Sequence, residues 1–200
     1  AAKILGIPVV LHEQNAFPGK ANKLLAKWSK AIVTCYPEAF SNQENVHYLG
    51  NPRASLISEI IDSDSEYKRL ELETDKKTVL IVMGSQGSMA MNPKFEELIE
   101  EFDEDDYQLV LACGPLHYDA FMNKFPQAKK NLKISGFVDQ KALLPRLDLI
   151  VARAGASTIA EIQSFAVPSI LIPSPHVANN HQYYNAKSLE DHDACILLEE

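Results

Sequence analysis

The chain has 200 residues, 46% of them apolar, enough to bury a core as one large or two small domains. No run of eighteen apolar residues is present to cross a bilayer as a helix, no secretory signal is legible at the amino terminus, and a formal charge of −8 argues against nucleic acid as a partner. The three cysteines, Cys35, Cys113 and Cys195, lie far apart without metal-like spacing and read as reduced core thiols of a cytosolic protein.

In chain order, Ile7 to Leu11 is an apolar run that predicts a strand, and residues 20 to 32 follow with helical spacing. Lys20, Lys23, Lys27 and Lys30 recur along that segment beside Ala21, Leu24, Trp28 and Ile32, so one face is basic and its neighbour apolar. Two readings fit: a solvated flank beside a core stripe, or electrostatic contact with an anionic membrane surface. Short strands are expected at Ala31 to Thr34 and Val46 to Leu49, then a break at Gly50, Asn51 and Pro52. Residues 55 to 61 suit a helix, and the charged run 62 to 77 reads as a surface helix or connector, which places a unit boundary near Arg53.

From Thr78 strands and helices alternate without long interruption. Strands are expected at 78–83, 107–112, 132–135, 148–152, 168–172 and 195–198. Helices are expected at 94–102, 117–125, 140–146, 156–166 and 180–191. Such alternation implies an α/β fold whose parallel sheet is covered on both faces.

Glycines sharpen this into a site. Gly84, Gly87, Gly114, Gly136 and Gly155 all fall at or just beyond the carboxyl end of an expected strand, the edge where open parallel sheets meet ligands. For Gly114 and Gly136 a tight turn is an equal explanation. After the strand ending at Met83, the amides of Ser85, Gln86 and Gly87 and the Ser85 hydroxyl can face an anion, although the full dinucleotide fingerprint is absent. After the strand ending at Ala152, Arg153 and Gly155 precede a helix that opens at Ala156, Ser157 and Thr158, a start suited to phosphate. Thr158 and Glu161 share a face of that helix.

Several segments together, HEQN with a following GKAN, then LGNPR, GSQGS, ISGFVD, RAGASTIAEI and NNHQYYNA, resemble the peptidoglycan glycosyltransferases that add N-acetylglucosamine to a lipid-linked muramyl-pentapeptide. The resemblance covers nearly the whole chain and implies a GT-B fold, two Rossmann-like parallel-sheet domains facing a cleft. It implies that residues 1–52 are the last part of the acceptor and membrane-associated domain, 53–77 a linker and connecting helix, and 78–200 a UDP-sugar donor domain incomplete at its carboxyl end. The glycine-rich loop that opens such enzymes is not in the sequence, so a fragment inactive by itself is expected.

Carried over by position, Gly84, Ser85 and Gln86 would contact the nucleotide, the backbone at Val138 the uracil, and Glu161 the ribose hydroxyls, since a carboxylate can accept two bonds from a vicinal diol. Arg153, Ser157 and Thr158 would stabilise the diphosphate, with pairing of Arg153 to Glu161 or Asp148 as the structural alternative. His181 and Gln182 stand where the family contacts the donor sugar, commonly through two glutamines. His12, Glu13, Asn15 and Arg53 fall on the acceptor side; His12 is a candidate general base, or a plain hydrogen-bond partner at a strand end. The resemblance further implies a donor of UDP-N-acetylglucosamine, a lipid-linked acceptor, peripheral attachment to the cytoplasmic face of the membrane, and neither cofactor nor metal. Two other classes fit the nucleotide site: a UDP-N-acetylglucosamine 2-epimerase, against which HEQN and the lysine stripe argue, and a non-catalytic donor-binding subunit that needs a partner.

Overall fold

The computed structural model describes residues 2–57, 63–103, 106–126 and 129–200. The first strands, β1 (Val10–Glu13), β2 (Ala31–Thr34) and β3 (Val46–Tyr48), form a parallel three-stranded sheet in sequential order, with α1 (Lys20–Ala26) between β1 and β2. Two helices, α2 (Pro52–Ile57) and α3 (Ser63–Arg69), lead to the second sheet. This contains β4 (Lys77–Val82), β5 (Tyr107–Ala112), β6 (Leu132–Ser135), β7 (Leu149–Ala152), β8 (Ser169–Leu171) and β9 (Ile196–Leu197). Its helices are α4 (Asn92–Glu101), α5 (Tyr118–Lys124), α6 (Gln140–Leu143), α7 (Ala156–Ser164) and α8 (His181–Glu190).

All six strands are parallel in the order β6-β5-β4-β7-β8-β9. The chain builds outward from β4 in one direction and then returns to β7 on its other side, so the loops after β4 and β7 diverge and leave a crevice between them. Alternation along the strands fills both faces: Leu80 and Val82 pack with Val110 and Ile150 on one side, Ile81 and Met83 with Leu109 and Leu111 on the other.

Three sequence expectations in the first half need correction. The first strand lies at Val10–Glu13 rather than 7 to 11, because pairing with β2 sets Val10 opposite Ala31 and Glu13 opposite Thr34, and Pro8 has no amide to offer a ladder. The helix expected over 20 to 32 stops at Ala26. The Lys30 amide bonds the Val9 carbonyl, so Ile32 belongs to β2, where it is fully buried. The apolar stripe is therefore not core: Leu24, Leu25 and Trp28 are exposed. The helix expected at 55 to 61 starts earlier, at Pro52, because the Asn51 side chain accepts the Arg53 amide as a cap; residues 58 to 61 lie outside the described residues. Further on, Pro145 ends α6 early, and a single 3₁₀ turn completes the span expected as one helix.

Two glycines are fixed by close backbone approach rather than by a ligand. A Cβ on Gly87 would stand 1.9 Å from the Cys113 carbonyl oxygen, and one on Gly114 2.2 Å from the Gln86 carbonyl oxygen; both residues have positive φ, 76° and 89°. The turns after β4 and β5 are thus packed main chain against main chain. Gly84, at φ 96°, has open space where its Cβ would be. Gly87→Ala is expected to lower unfolding stability by about 2 kcal/mol or more, from strain plus displacement of the β5 turn; chemical denaturation of both proteins measures it.

Candidate functional site

A cavity of about 410 Å³ occupies the crevice between the β4 and β7 turns. Gly84 and Ser85 form one wall, with Arg153, Ser157, Thr158 and Glu161 opposite. Val138 and its loop close a third side, and Arg53 reaches in from α2. Eight residues singled out from sequence, scattered over more than a hundred positions, thus share one space. Gln86, His181 and Gln182 do not line it. The Gln86 carbonyl packs on Gly114, His181 Nδ1 lies 2.8 Å from the Ala178 carbonyl, and the Gln182 side chain accepts the Ser174 amide at 2.9 Å.

The start of α7 has no side-chain cap: Gly155 precedes it in extended conformation and contributes only its carbonyl, to Ile159. Its first amides are therefore available to an acceptor, at the positive end of the helix dipole and beside Ser157 and Thr158. This is the strongest anion-directed feature of the cavity.

Glu161, in the next turn, is buried, and both of its oxygens are engaged: Arg53 Nε donates to one at 2.7 Å and Gln140 Nε2 to the other at 2.9 Å. An ionised carboxylate offers about four lone-pair sites, so capacity remains for hydroxyl donors. Arg153 pairs with neither of the partners expected for it. Its guanidinium bonds the Ile172 carbonyl and Ser88 Oγ and lies 2.7 Å from the Glu200 carboxylate, tying the segments after β4, β7, β8 and β9 together at the cavity edge. Asp148 instead accepts the Thr78 amide at the opposite end of the sheet.

The loop 136–139 is held from outside the sheet, which sequence reasoning missed. Glu66 of α3 is buried and accepts the Asp139 amide at 2.8 Å, while Arg69 bonds both Glu66 oxygens and the Phe137 carbonyl. Asp139 in turn caps α6. The hydrogen bonds from Arg69 hold the Glu66 carboxyl below the usual carboxylate range, against the opposing effect of its burial. Phe137 lines the cavity while remaining exposed, a ring beside the Val138 backbone.

On the first sheet, Glu13 is buried and organises its own loop: its oxygens accept from the Asn15 amide, Asn15 Nδ2, the Gly19 amide and Asn22 Nδ2. Asn15 reaches across to Asn185 on α8. His12 is exposed, outside the cavity, with Nε2 3.4 Å from Cys35 Sγ. Burial and the nearby Glu13 charge push the Cys35 thiol up to about 11, so it stays protonated near neutrality and can donate to the imidazole.

Residues 78–200 match the glycosyltransferase family 28 C-terminal domain, and residues 1–34 match the family's N-terminal domain. The chain belongs to glycosyltransferase family 28. It is 43% identical over 205 residues to the UDP-N-acetylglucosamine–N-acetylmuramyl-(pentapeptide) pyrophosphoryl-undecaprenol N-acetylglucosamine transferase of Bacillus subtilis, and 42% identical to the protein of that name from Bacillus pumilus. Each alignment covers 100% of this chain and 56% of the relative. The chain thus spans little more than half the length of the curated relatives it matches. Among solved structures, MurG of Acinetobacter baumannii superposes with a TM-score of 0.76 at 29% identity, over 99% of this chain and 55% of that one. The resemblance read from HEQN, GSQGS and RAGASTIAEI is borne out, and so is the α/β fold of GT-B type.

Glu66 supplies a pH test. Because its folded pKa is lowered, its contribution to stability is fully present above the ordinary value of 4.5 and is lost as pH falls through the lowered folded pKa. Glu66→Gln should be less stable than wild type at neutral pH, with the gap narrowing on acidification below that range; thermal denaturation at stepped pH measures both.

Proposed function

We propose that the chain carries the donor-binding half and part of the acceptor half of an inverting N-acetylglucosaminyltransferase. The donor is UDP-N-acetylglucosamine, and the acceptor is the muramyl 4-hydroxyl of an undecaprenyl-pyrophosphoryl muramyl-pentapeptide. The observation that carries this reading is the buried Glu161 carboxylate, one helical turn from the uncapped start of α7 in the crevice between β4 and β7. A diol acceptor and a phosphate site lie there side by side, as a nucleoside diphosphate requires. Identity of 43% to a relative named for this reaction supports the choice of sugar and acceptor.

In the transfer, the acceptor oxygen bonds the anomeric carbon as the bond from that carbon to the diphosphate breaks; the diphosphate leaves with the bonding pair, and the hydroxyl proton passes to a base on the acceptor side or to water. The amides at Ala156 to Thr158 face the charge that grows on the leaving diphosphate. Glu161 holds the ribose and orients the nucleotide; the Val138 backbone, in a loop braced by Glu66 and Arg69, faces the base. His12, exposed on the acceptor side outside this cavity with Nε2 toward Cys35 Sγ, is the candidate base that the chain offers there.

The proposed site of action is the cytoplasmic face of the membrane. Exposed Leu24, Leu25 and Trp28 lie among Lys20, Lys23 and Lys27, an apolar patch with a basic border, which suits shallow attachment to an anionic bilayer. Ser replacing Leu24 and Leu25 together should reduce co-sedimentation with anionic vesicles and leave nucleotide binding unchanged; equal sedimentation would remove the patch from the proposal.

Calorimetric titration with UDP, UDP-N-acetylglucosamine and ADP tests the donor site. The expected outcome is binding of both uridine nucleotides and not of ADP, with Glu161→Ala weakening UDP by about 1–3 kcal/mol through loss of the diol acceptor. Equal affinity for ADP and UDP, or an unaffected Glu161→Ala, would overturn the assignment.

A further inference from the structure

We propose that Asn185 is a positioning residue that clasps the acceptor-side loop 14–19 to the donor-side turn after β7, so that the two walls of the cleft move together; the proposal rests on the transferase reading above. Asn185 lies on α8, fully buried. Its Oδ1 accepts the Ala16 amide at 2.8 Å, and its Nδ2 donates to Asn15 Oδ1 at 3.1 Å and to the Ala154 carbonyl at 3.2 Å. Both donor hydrogens and the acceptor of one carboxamide are therefore spent on joining segments that the chain keeps far apart.

The neighbouring contacts repeat the connection. Tyr184 stacks on Phe17 with ring centroids 5.1 Å apart, and Lys23 Nζ stands 3.8 Å from the Phe17 centroid. Within the loop, the four bonds to Glu13 keep residues 15 to 19 in one shape, so a displacement at Asn185 moves the loop rather than bending it. At the other end, Ala154 sits between Arg153 and Gly155, in the turn that opens α7. Asn185 does not line the donor cavity. Its connections run to the turn beneath the diphosphate position on one side and to Asn15 on the other, which makes it a link between donor occupancy and the acceptor loop.

The test compares wild type with Asn185→Ala, Asn15→Ala, the double variant and the milder surface variant Phe17→Leu, all in the full-length protein. Calorimetry measures UDP affinity, kinetics the KM for each substrate, and hydrogen exchange the amides of Ala16 and Gly19. For Asn185→Ala, acceptor KM should rise about tenfold while donor KM and UDP affinity stay within about twofold, the size expected for one lost buried hydrogen-bonding group. The Ala16 amide should exchange faster while the Gly19 amide, held by Glu13, keeps its protection. The double variant should cost less than the sum of the two single variants, because both remove the same Asn15–Asn185 bond, and Phe17→Leu should shift acceptor KM in the same direction by less.

A large loss of UDP-sugar affinity with acceptor KM unchanged would make Asn185 a donor ligand and overturn the clasp, as would additive effects of the Asn15 and Asn185 changes. A wild-type protein that neither binds uridine nucleotides nor transfers sugar would sink the transferase reading alone. The exchange comparison still decides the clasp in that case, and unchanged protection of Ala16 overturns it.

Discussion

The ion pair between Arg53 and Glu161 sets the relation between the two sheets. A carboxylate this deeply buried is costly unless its oxygens are paired, and the partners here come from two other elements, Arg53 on α2 and Gln140 on α6. The arrangement fixes the linker against α7 at the buried carboxylate of the cavity. Arg53 itself is 40% exposed along its side chain, so the pair stands at the solvent edge, and its value lies in geometry more than in binding strength. The Glu161 carboxylate is thus already aimed and held, with lone pairs to spare for hydroxyl donors.

The connecting segment takes part in the cavity and is not a passive tether. Its first helix supplies Arg53, and its second supplies Glu66 and Arg69, which hold the main chain of loop 136–139 at two points. Tyr67, between them in sequence, is buried and hydrogen-bonds the Arg146 carbonyl as donor and Thr78 Oγ1 at its other side, anchoring α3 at the amino-terminal end of the sheet. One short helix thus braces loop 136–139 on one flank and the sheet on the other. The shape of the cavity depends on residues that carry no mark of ligand chemistry.

That dependence explains what the sequence disclosed. Alternating apolar runs with glycines at strand ends made the parallel sheet and the ligand edge legible, and the RAGAST segment disclosed an uncapped helix start with Glu161 on its face. Glu66, Arg69 and Gln140 were not legible, because their partners lie 73, 68 and 21 residues away and nothing local distinguishes them from surface charges and amides. Asn185 did leave a signal: with Ala186 and Leu189 it lies on the buried face of α8, and a polar residue on a core face calls for partners. Gly87 resembled a ligand-contact glycine and proved to be a packing one, since only the fold brings the Cys113 carbonyl against it. The lysine stripe misled for a simpler reason: helical spacing continued by chance across a helix end into β2.

Helix α7 also separates two environments. Ser157, Thr158 and Glu161 face the first cavity, whereas Ala156, Ile159, Ala160 and Gln163 face a second cavity of about 240 Å³ whose other wall is Gln14, Tyr36, Tyr48 and Asn51 at the strand ends of the first sheet. None of the described residues lining that second space carries a formal charge, whereas in the first Arg53 and Arg153 are each paired with a carboxylate, Glu161 and Glu200, and the uncapped amides opening α7 are the anion-directed feature. That feature stands on one flank of the helix only. A rigid helix with a ligand on one flank and the seam between the sheets on the other transmits any tilt at its amino terminus directly to that seam, because α2 packs along its length.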